Sequence, residues 1–323
     1  MNRAGRHLRV SAVILTMGDR PQMLRTVLDR LAAEPVDEVL VVDNGSNGTP
    51  VEAGRDGVRL IRPNRNAGVA GRNLAAAEAR GDLLLMLDDD SYPLPGAVGR
   101  LALAFREQER LAAAGGLVRD VDGGGRVTEV DGVGSFDWFV RAGRRGDVPA
   151  EGLPADFFAE GGCMLRRSAY LEVGGFFEPY FFTCSEIDLS TRLLAAGWDV
   201  RYFPEAEFDH MKPDGHRAGS RLALQYRIRN NVWYYWLRFP PSVASRRIPA
   251  YLLYDLLDCA YRRMPGAWVR GVREAWTGRD AVRAFRRPVP RGLIGRVEIN
   301  RGRLHLKMLA NAIGTRLRSR RSG

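Results

Sequence analysis

Cysteine is scarce in this sequence: Cys163, Cys184 and Cys259 are odd in number and far apart. They form neither a disulfide framework nor a zinc-ligand spacing, and a reducing cytoplasm is the expected compartment. Lysine is scarcer still, with only Lys212 and Lys307 among 49 basic side chains. The remainder is arginine, which suits bidentate phosphate binding but equally follows from a GC-rich genome. No apolar run approaches the roughly 20 residues that span a bilayer. The best stretch, IPAYLLYDLLDCAY from Ile248 to Tyr261, is broken by Asp255 and Asp258, so no integral membrane protein is expected. The basic opening MNRAGRHLRV leads into an apolar run, Val10 to Leu15, too short for a secretory h-region. Neither GxGxxG nor GxxxxGK(S/T) occurs, which argues against a dinucleotide dehydrogenase and a P-loop NTPase. No Ser or Cys nucleophile arrangement and no internal repeat is found.

What is present is ordinary globular material, 323 residues with 45% hydrophobic and 27% charged, enough for a real core. The net charge of +11 conceals a split. Residues 211–323 hold 25 Lys+Arg against 6 Asp+Glu, a net of +19, whereas residues 1–210 hold 24 against 32, a net of −8. An acidic body over 1–210 and a basic region over 211–323 are therefore expected to have different partners.

The first ninety residues alternate strand and helix. RVSAVILT is a strand; PQMLRTVLDRLAA is a helix with Pro21 at its start and Leu24, Val27, Leu28 and Leu31 at helical spacing. EVLVVD and GVRLIRP read as strands, GVAGRNLAAAEAR as a second helix, and DLLLMLDDD as a strand ending in acids. Apolar strands separated by helices predict an α/β fold with a mostly parallel, Rossmann-like sheet flanked by helices. Right-handed crossovers put the strand C-terminal ends, and so the ligand, along one edge. Those ends carry Thr16, Asp43 and Asp88 to Asp90. A further helix and strand follow between Leu101 and Val118, residues 119–153 read as a hairpin or mobile loop, and the pattern after Met211 is helical, basic and aromatic.

Three adjacent carboxylates at 88–90 repel one another unless a cation sits among them, and hard oxygen ligands favour Mg²⁺ or Mn²⁺ holding a diphosphate. A solvated acidic loop, or capping before Pro93, is the competing account. Asp43 in VVDNGSNGT is placed to accept hydrogen bonds from a base or ribose, although Asp-Asn-Gly is also simple turn chemistry. In NRNAGVAGRN the small residues allow close approach to a ligand, with Arg72 in reach of phosphate or base; close helix–sheet packing explains them equally.

Taken in order, ILTMGDRPQMLRTVLDRL, VVDNGSNGT, NRNAGVAGRN, MLDDD, GGCMLRRSAYLEVGGFFEPYF, SEIDLSTRL and YFPEAEFDHMK resemble the family-two glycosyltransferases over roughly residues 9–212. The resemblance implies a GT-A fold with a donor half over 1–95, an acceptor half over 96–210, and a basic helical extension beyond. It implies that Thr16, Asp43, Arg72, Asp88 and Asp89 contact the donor. It makes Asp88 and Asp90 the outer acids of the DxD motif and, with His210, the metal ligands. GGCML with SAYLEVGGF is implied to floor the acceptor site; the aromatics of FFEPYFF either stack on a sugar or belong to the core.

SEIDLSTRL stands where the family carries its catalytic acids, and it departs from the pattern, with Ser185 for the first acid and Glu186 where Asp is usual. Both Glu186 and Asp188 are catalytic candidates. Ser185 and Asp188 have capping-box spacing, and Asp188 stands one turn before Arg192. The spacing gives Glu186 no such structural task, so Glu186 is assigned as the base. The implied activity is inverting transfer of a hexose or deoxyhexose from a nucleotide sugar, using a divalent cation, in cell-surface glycan or glycolipid synthesis. The acceptor is a glycan, a lipid-linked or a small molecule. A nucleotidyltransferase, or a non-catalytic nucleotide or nucleic-acid binder, is the alternative, although the basic block shows no nucleic-acid-binding signature and no nucleic acid is expected. That block interleaves arginines with Trp233, Tyr234, Tyr235, Trp236, Leu252, Leu253, Trp268 and Trp276. Contact with an anionic membrane surface, peripheral on the inner face, is one expectation for it; packing of the aromatics on the catalytic body is the other.

Overall fold

A computed structural model describes residues 7–45, 57–130, 148–211 and 220–297. The turn at 46–49, residues 131–147 of the anticipated mobile segment, Lys212 and the end of the basic block, 298–323, lie outside the described residues.

Strand β1 (Val10–Thr16) is buried on both pleat faces, as a strand covered by helices on both sides must be. Helix α1 (Pro21–Leu31) starts on a proline whose missing N–H costs nothing there, and buries Leu24, Val27, Leu28 and Leu31 as one stripe. Then come β2 (Glu38–Asp43), β3 (Val58–Ile61), a 3₁₀ turn at Gly68–Gly71 and α2 (Arg72–Glu78). They are followed by β4 (Leu83–Asp88), β5 (Ser91–Pro93), α3 (Ala97–Glu107), β6 (Leu111–Val121), β7 (Val127–Val130) and β8 (Leu153–Pro154). Strand β9 (Cys163–Arg166), α4 (Arg167–Glu172), α5 (Ser185–Ala195) and β10 (Asp199–Met211) complete the α/β body. Helices α6 (Arg221–Arg238), α7 (Pro241–Tyr261), α8 (Pro265–Thr277) and the short α9 (Arg279–Val282) follow.

All ten strands form one sheet along the path β3-β2-β1-β4-β9-β6-β10-β5, with β7 on β6 and β8 on β10. The first four strands on that path are parallel, as is the β6–β10 pair. Strand β9, inserted between β4 and β6, is antiparallel to both, and β5 is antiparallel to β10. The sheet is thus mixed where a mostly parallel one was expected. An apolar run such as Cys-Met-Leu marks a buried strand without giving its direction, which the connections decide. One face carries α1 and α3 over Val10, Ile14, Leu85 and Phe203. The other packs Leu189 and Leu193 of α5 and Ala75 of α2 against Val13, Leu84 and Met86.

The aromatic run of α6 is core. Trp233, Tyr234 and Tyr235 are buried in one cluster with Phe177 and Tyr180, so the hydrophobic interior crosses the expected boundary at 210/211. Thr191 of α5 and the Tyr234 hydroxyl lie 2.8 Å apart, and Trp233 Nε1 donates to the Ala275 carbonyl at 2.9 Å. These side chains are therefore removed from the set expected to meet a membrane, because bulky rings able to satisfy their polar atoms internally are better buried. Among the described residues, no helix is long and apolar enough to cross a membrane.

Candidate active site

Register assembles the site. Thr16 pairs with Asp43 across β1–β2, and Leu15 pairs with Asp88 across β1–β4, so three strand ends meet where the strand order departs in two directions from β1. Such switch points at strand C-terminal ends are where open α/β sheets bind ligands. Beyond Asp88 the chain turns through Asp89 and Asp90 into β5, and Met211 N donates to the Asp90 carbonyl at 2.7 Å, tying the end of β10 to the acidic turn.

Each acid has a distinct partner. Asp88 is held from below by Arg72, whose side chain is 1% exposed and also donates to the Leu87 carbonyl at 3.2 Å. Arg72, expected to touch the donor, is buried and supports the partly exposed Asp88. Its Nε and Nη1 find no hydrogen-bond acceptor among the described residues. Asp89 accepts from Thr16 Oγ1 at 2.6 Å and lies 3.4 Å from Arg20. Burial pushes the Asp89 carboxyl up to about 6, more than Thr16 and Arg20 pull it down. Asp90 takes a hydrogen bond from Arg20 and stands 3.4 Å from His210 Nε2, while His210 Nδ1 lies 2.8 Å from Asp120. Burial alone would strip the proton from His210, yet the hydrogen bonds to Asp120 and Asp90 raise it to about 10. For Asp90 burial likewise opposes ionisation, and His210 with Arg20 keeps its carboxyl below the ordinary value.

Among the described residues, no group of three His, Cys, Asp or Glu side chains is arranged to hold a metal by itself. The donor set nonetheless fits a hard cation, which keeps waters and substrate phosphates and needs only one or two carboxylates. Asp90 and the partly exposed Asp88 offer that number, and His210 would join them by giving up the Nε2 proton it directs at Asp90.

A cleft of about 300 Å³ opens at the end of β2, lined by Met17, Asp43, Asn44, Arg62, Asn64 and Asn66 among others. Asp43 is buried at its base and accepts from Arg62 Nε at 3.1 Å. Asn44 holds the far wall, accepting from Ala67 N at 3.0 Å and donating to the Gly68 carbonyl at 2.8 Å. A larger cleft of about 470 Å³ lies by Arg80, Gly81 and Asp82, at the opposite sheet edge where β4 begins. Its Arg166 and Arg167 are committed to backbone carbonyls, and none of the strand-end acids reaches it.

Opposite the acidic turn stands the loop before α5. Phe181, Thr183 and Cys184 all have φ of 61°, a left-handed conformation costly for side chains with a Cβ. Gly68, itself at φ 60°, allows this contact: a Cβ there would lie 1.9 Å from the Phe181 carbonyl, which accepts from Val69 N at 2.8 Å. Helix α6 holds the loop from the other side. Arg229 Nη2 donates to the Pro179 and Tyr180 carbonyls at 2.9 and 2.8 Å, and Asn230 Nδ2 to those of Tyr180 and Thr183 at 3.0 and 3.1 Å.

The loop delivers Glu186 to the first turn of α5. Its charge acts on Glu160, in the turn before β9, whose Oε1 is buried without a hydrogen-bond partner among the described residues. Burial, then the charge of Glu186, raises the Glu160 carboxyl to about 8. Gly161 lies against the acidic turn, where a Cβ would meet Ser91 Oγ at 3.3 Å and Asp88 Oδ2 at 3.6 Å.

Asp188 has a different environment. It is fully buried, accepts from Arg238 Nε at 2.6 Å and Arg192 Nε at 2.8 Å, and takes the Tyr180 hydroxyl at 3.4 Å. The expected capping box is absent: Cys184 is the N-cap, Ser185 is already helical, and neither side chain caps the helix. The local pair Asp188–Arg192 is present. Spacing did not reveal Arg20, Asp120, Glu160, Arg229, Asn230 or Arg238, because each reaches the site through tertiary packing and none lies in a periodic pattern. The one available signal was Glu160 directly before the Gly-Gly that opens the buried strand β9.

The model of the family described as Glycosyl transferase family 2 matches residues 11–174. A Mycobacterium tuberculosis protein, N-acetylglucosaminyl-diphospho-decaprenol L-rhamnosyltransferase, is 31% identical over 252 residues, covering 68% of this chain and 81% of that protein. Among solved structures, GalNAc-T7 with UDP, GalNAc and Mn²⁺ superposes with a TM-score of 0.63 at 14% identity, covering 78% of this chain and 51% of that one. The Pyrobaculum calidifontis mannosyltransferase PcManGT, in complex with GDP-Man and Mn²⁺, gives 0.55 at 15% identity, covering 84% and 88%. At these identities the two structures speak to the fold.

Proposed function

Since this chain belongs to glycosyltransferase family 2 and has the GT-A fold, we propose that it moves a sugar from a nucleoside-diphosphate donor to an acceptor hydroxyl with inversion. One observation carries the reading. Thr16, Asp43 and Asp88 end three adjacent parallel strands, Asp43 lines a 300 Å³ cleft there, and a separate carboxylate, Glu186, approaches from another element. Asp43 at the cleft base takes the nucleoside, and Arg62 is close enough to steady it. Asp88 faces the donor sugar or ribose, kept in place by Arg72. Glu186 accepts the proton of the acceptor hydroxyl as that oxygen attacks the anomeric carbon from the side opposite the leaving group. Asp90 and His210, with Asp88, would hold Mg²⁺ or Mn²⁺, which supplies charge stabilisation to the leaving diphosphate.

The rhamnosyltransferase relative supports a finer proposal: the sugar is a deoxyhexose and the acceptor a lipid-linked diphosphate saccharide. A panel of nucleoside-diphosphate sugars, scored by nucleoside diphosphate release with and without such an acceptor, tests both; preference for a hexose donor would overturn the first. The anomeric configuration of the product, read by NMR, tests inversion.

Asp90→Ala is expected to abolish turnover, and excess EDTA to do the same to the parent enzyme. Full activity in EDTA would end the metal proposal. Asn230→Ala removes the donor that gathers the Tyr180 and Thr183 carbonyls. It is expected to cost about 1–3 kcal/mol in urea unfolding and to lower kcat with donor affinity retained, because the loop carries Glu186 and not the cleft. An unchanged kcat would remove Asn230 from the positioning role.

A further inference from the structure

Helix α7 turns its two carboxylates inward and most of its leucines outward. Asp255 and Asp258 turn toward the protein, where Arg227 of α6 donates to them at 2.8 and 2.6 Å. The opposite face presents Leu253, Leu256, Leu257 and Tyr261, exposed by 59%, 37%, 55% and 50%, with Pro249, Ala250 and Ala260 exposed between them. Positions 249, 250, 253, 256, 257, 260 and 261 form one stripe at helical spacing, and no charged side chain interrupts it. A helix meeting only water carries the reverse pattern, and an apolar face of this extent marks contact with something else. Helix α8, tied to α7 by Trp268 Nε1 donating to the Leu252 carbonyl at 2.8 Å, adds exposed Val269 and Trp276. Cations flank the stripe: Arg246 is exposed one turn before it, Arg263 directly after it and Arg273 on α8, while Arg262 is paired with Asp258 at 2.9 Å.

We propose that this α7–α8 face seats the protein on an anionic lipid surface, its leucines and Trp276 entering the headgroup boundary and its arginines meeting lipid phosphate. Charge favours lipid over a second copy of the chain. The exposed Arg246, Arg263 and Arg273 around the stripe would face their own kind in a second copy, whereas an anionic leaflet complements them. The inference rests on this helical surface and not on the transfer chemistry.

Co-sedimentation of the full chain with phosphatidylglycerol vesicles, and with phosphatidylcholine vesicles as the uncharged control, tests it. The parent protein is expected to pellet with the anionic vesicles and to be released by salt. Leu253→Asp with Leu257→Asp should lower partitioning by about tenfold per leucine at an unchanged thermal midpoint, since both side chains are already in water. Leu171→Asp, an exposed leucine on α4, should leave partitioning unchanged. Equal pelleting of parent and double variant, or equal binding to both vesicle types, overturns the proposal. So does a dimer in light scattering that the double variant splits, because the face would then belong to a second copy.

Discussion

Glu186→Gln is expected to leave donor binding intact while transfer falls by about 10²-fold or more. The amide keeps the shape of the side chain and loses its ability to accept a proton. The cleft residues Asp43, Asn44 and Arg62 sit on the strand-end side and should not respond. Titration of the donor gives the first quantity, and nucleoside diphosphate release in the presence of acceptor gives the second. The surroundings of Glu186 favour its use as a base. Burial, and next the charge of Glu186, pushes the Glu160 carboxyl up to about 8. A neutral Glu160 spares Glu186 a second anion beside it. A Glu186→Gln protein that transfers at the parent rate would place the base elsewhere.

Much of this site is legible in the sequence, for reasons that can be named. Strand ends are readable because an apolar run stops at a polar residue, and Thr16, Asp43 and Asp88 each stand at such a stop. Parallel register then brings them together without further information. The stripe of α1 was equally plain from its spacing. Partnerships made across tertiary space were not legible. Nothing local pairs Arg72 with Asp88 or Arg20 with Asp90, so neither ion pair follows from the sequence. The direction of β9 was hidden for a related reason, since Cys-Met-Leu is as apolar in one direction as in the other. The aromatics of α6 misled because burial against Phe177 and Tyr180 and insertion into a membrane require the same side chains. The leucines of α7 carry the opposite lesson: their exposure becomes visible only once Asp255 and Asp258 are seen to face Arg227.

Asp188→Asn is expected to destabilise the protein by about 3–5 kcal/mol, the usual cost of removing one partner from a buried ion pair. The role inferred from spacing alone, a helix cap, implied about 0.5–2 kcal/mol. The larger figure follows from geometry. Arg238, with a side chain 3% exposed, and Arg192 both direct their guanidinium groups at this carboxylate, and Arg238 comes from α6. The asparagine leaves buried positive charge without its counter-ion at the junction between the catalytic body and the C-terminal helices. The effect also has a pH signature. Burial opposes ionisation of Asp188, but the charges of Arg192 and Arg238 outweigh it and hold its carboxyl below the ordinary value of 3.8. Stabilisation from a depressed carboxyl is complete above its unfolded value and is lost as pH falls through the folded one. The stability gap between parent and variant should therefore be full at neutral pH and begin to close only below about pH 4. Urea unfolding at neutral and acid pH measures it. An Asp188→Asn protein as stable as the parent yet inactive in transfer would reverse the assignment, making Asp188 the base and Glu186 its neighbour.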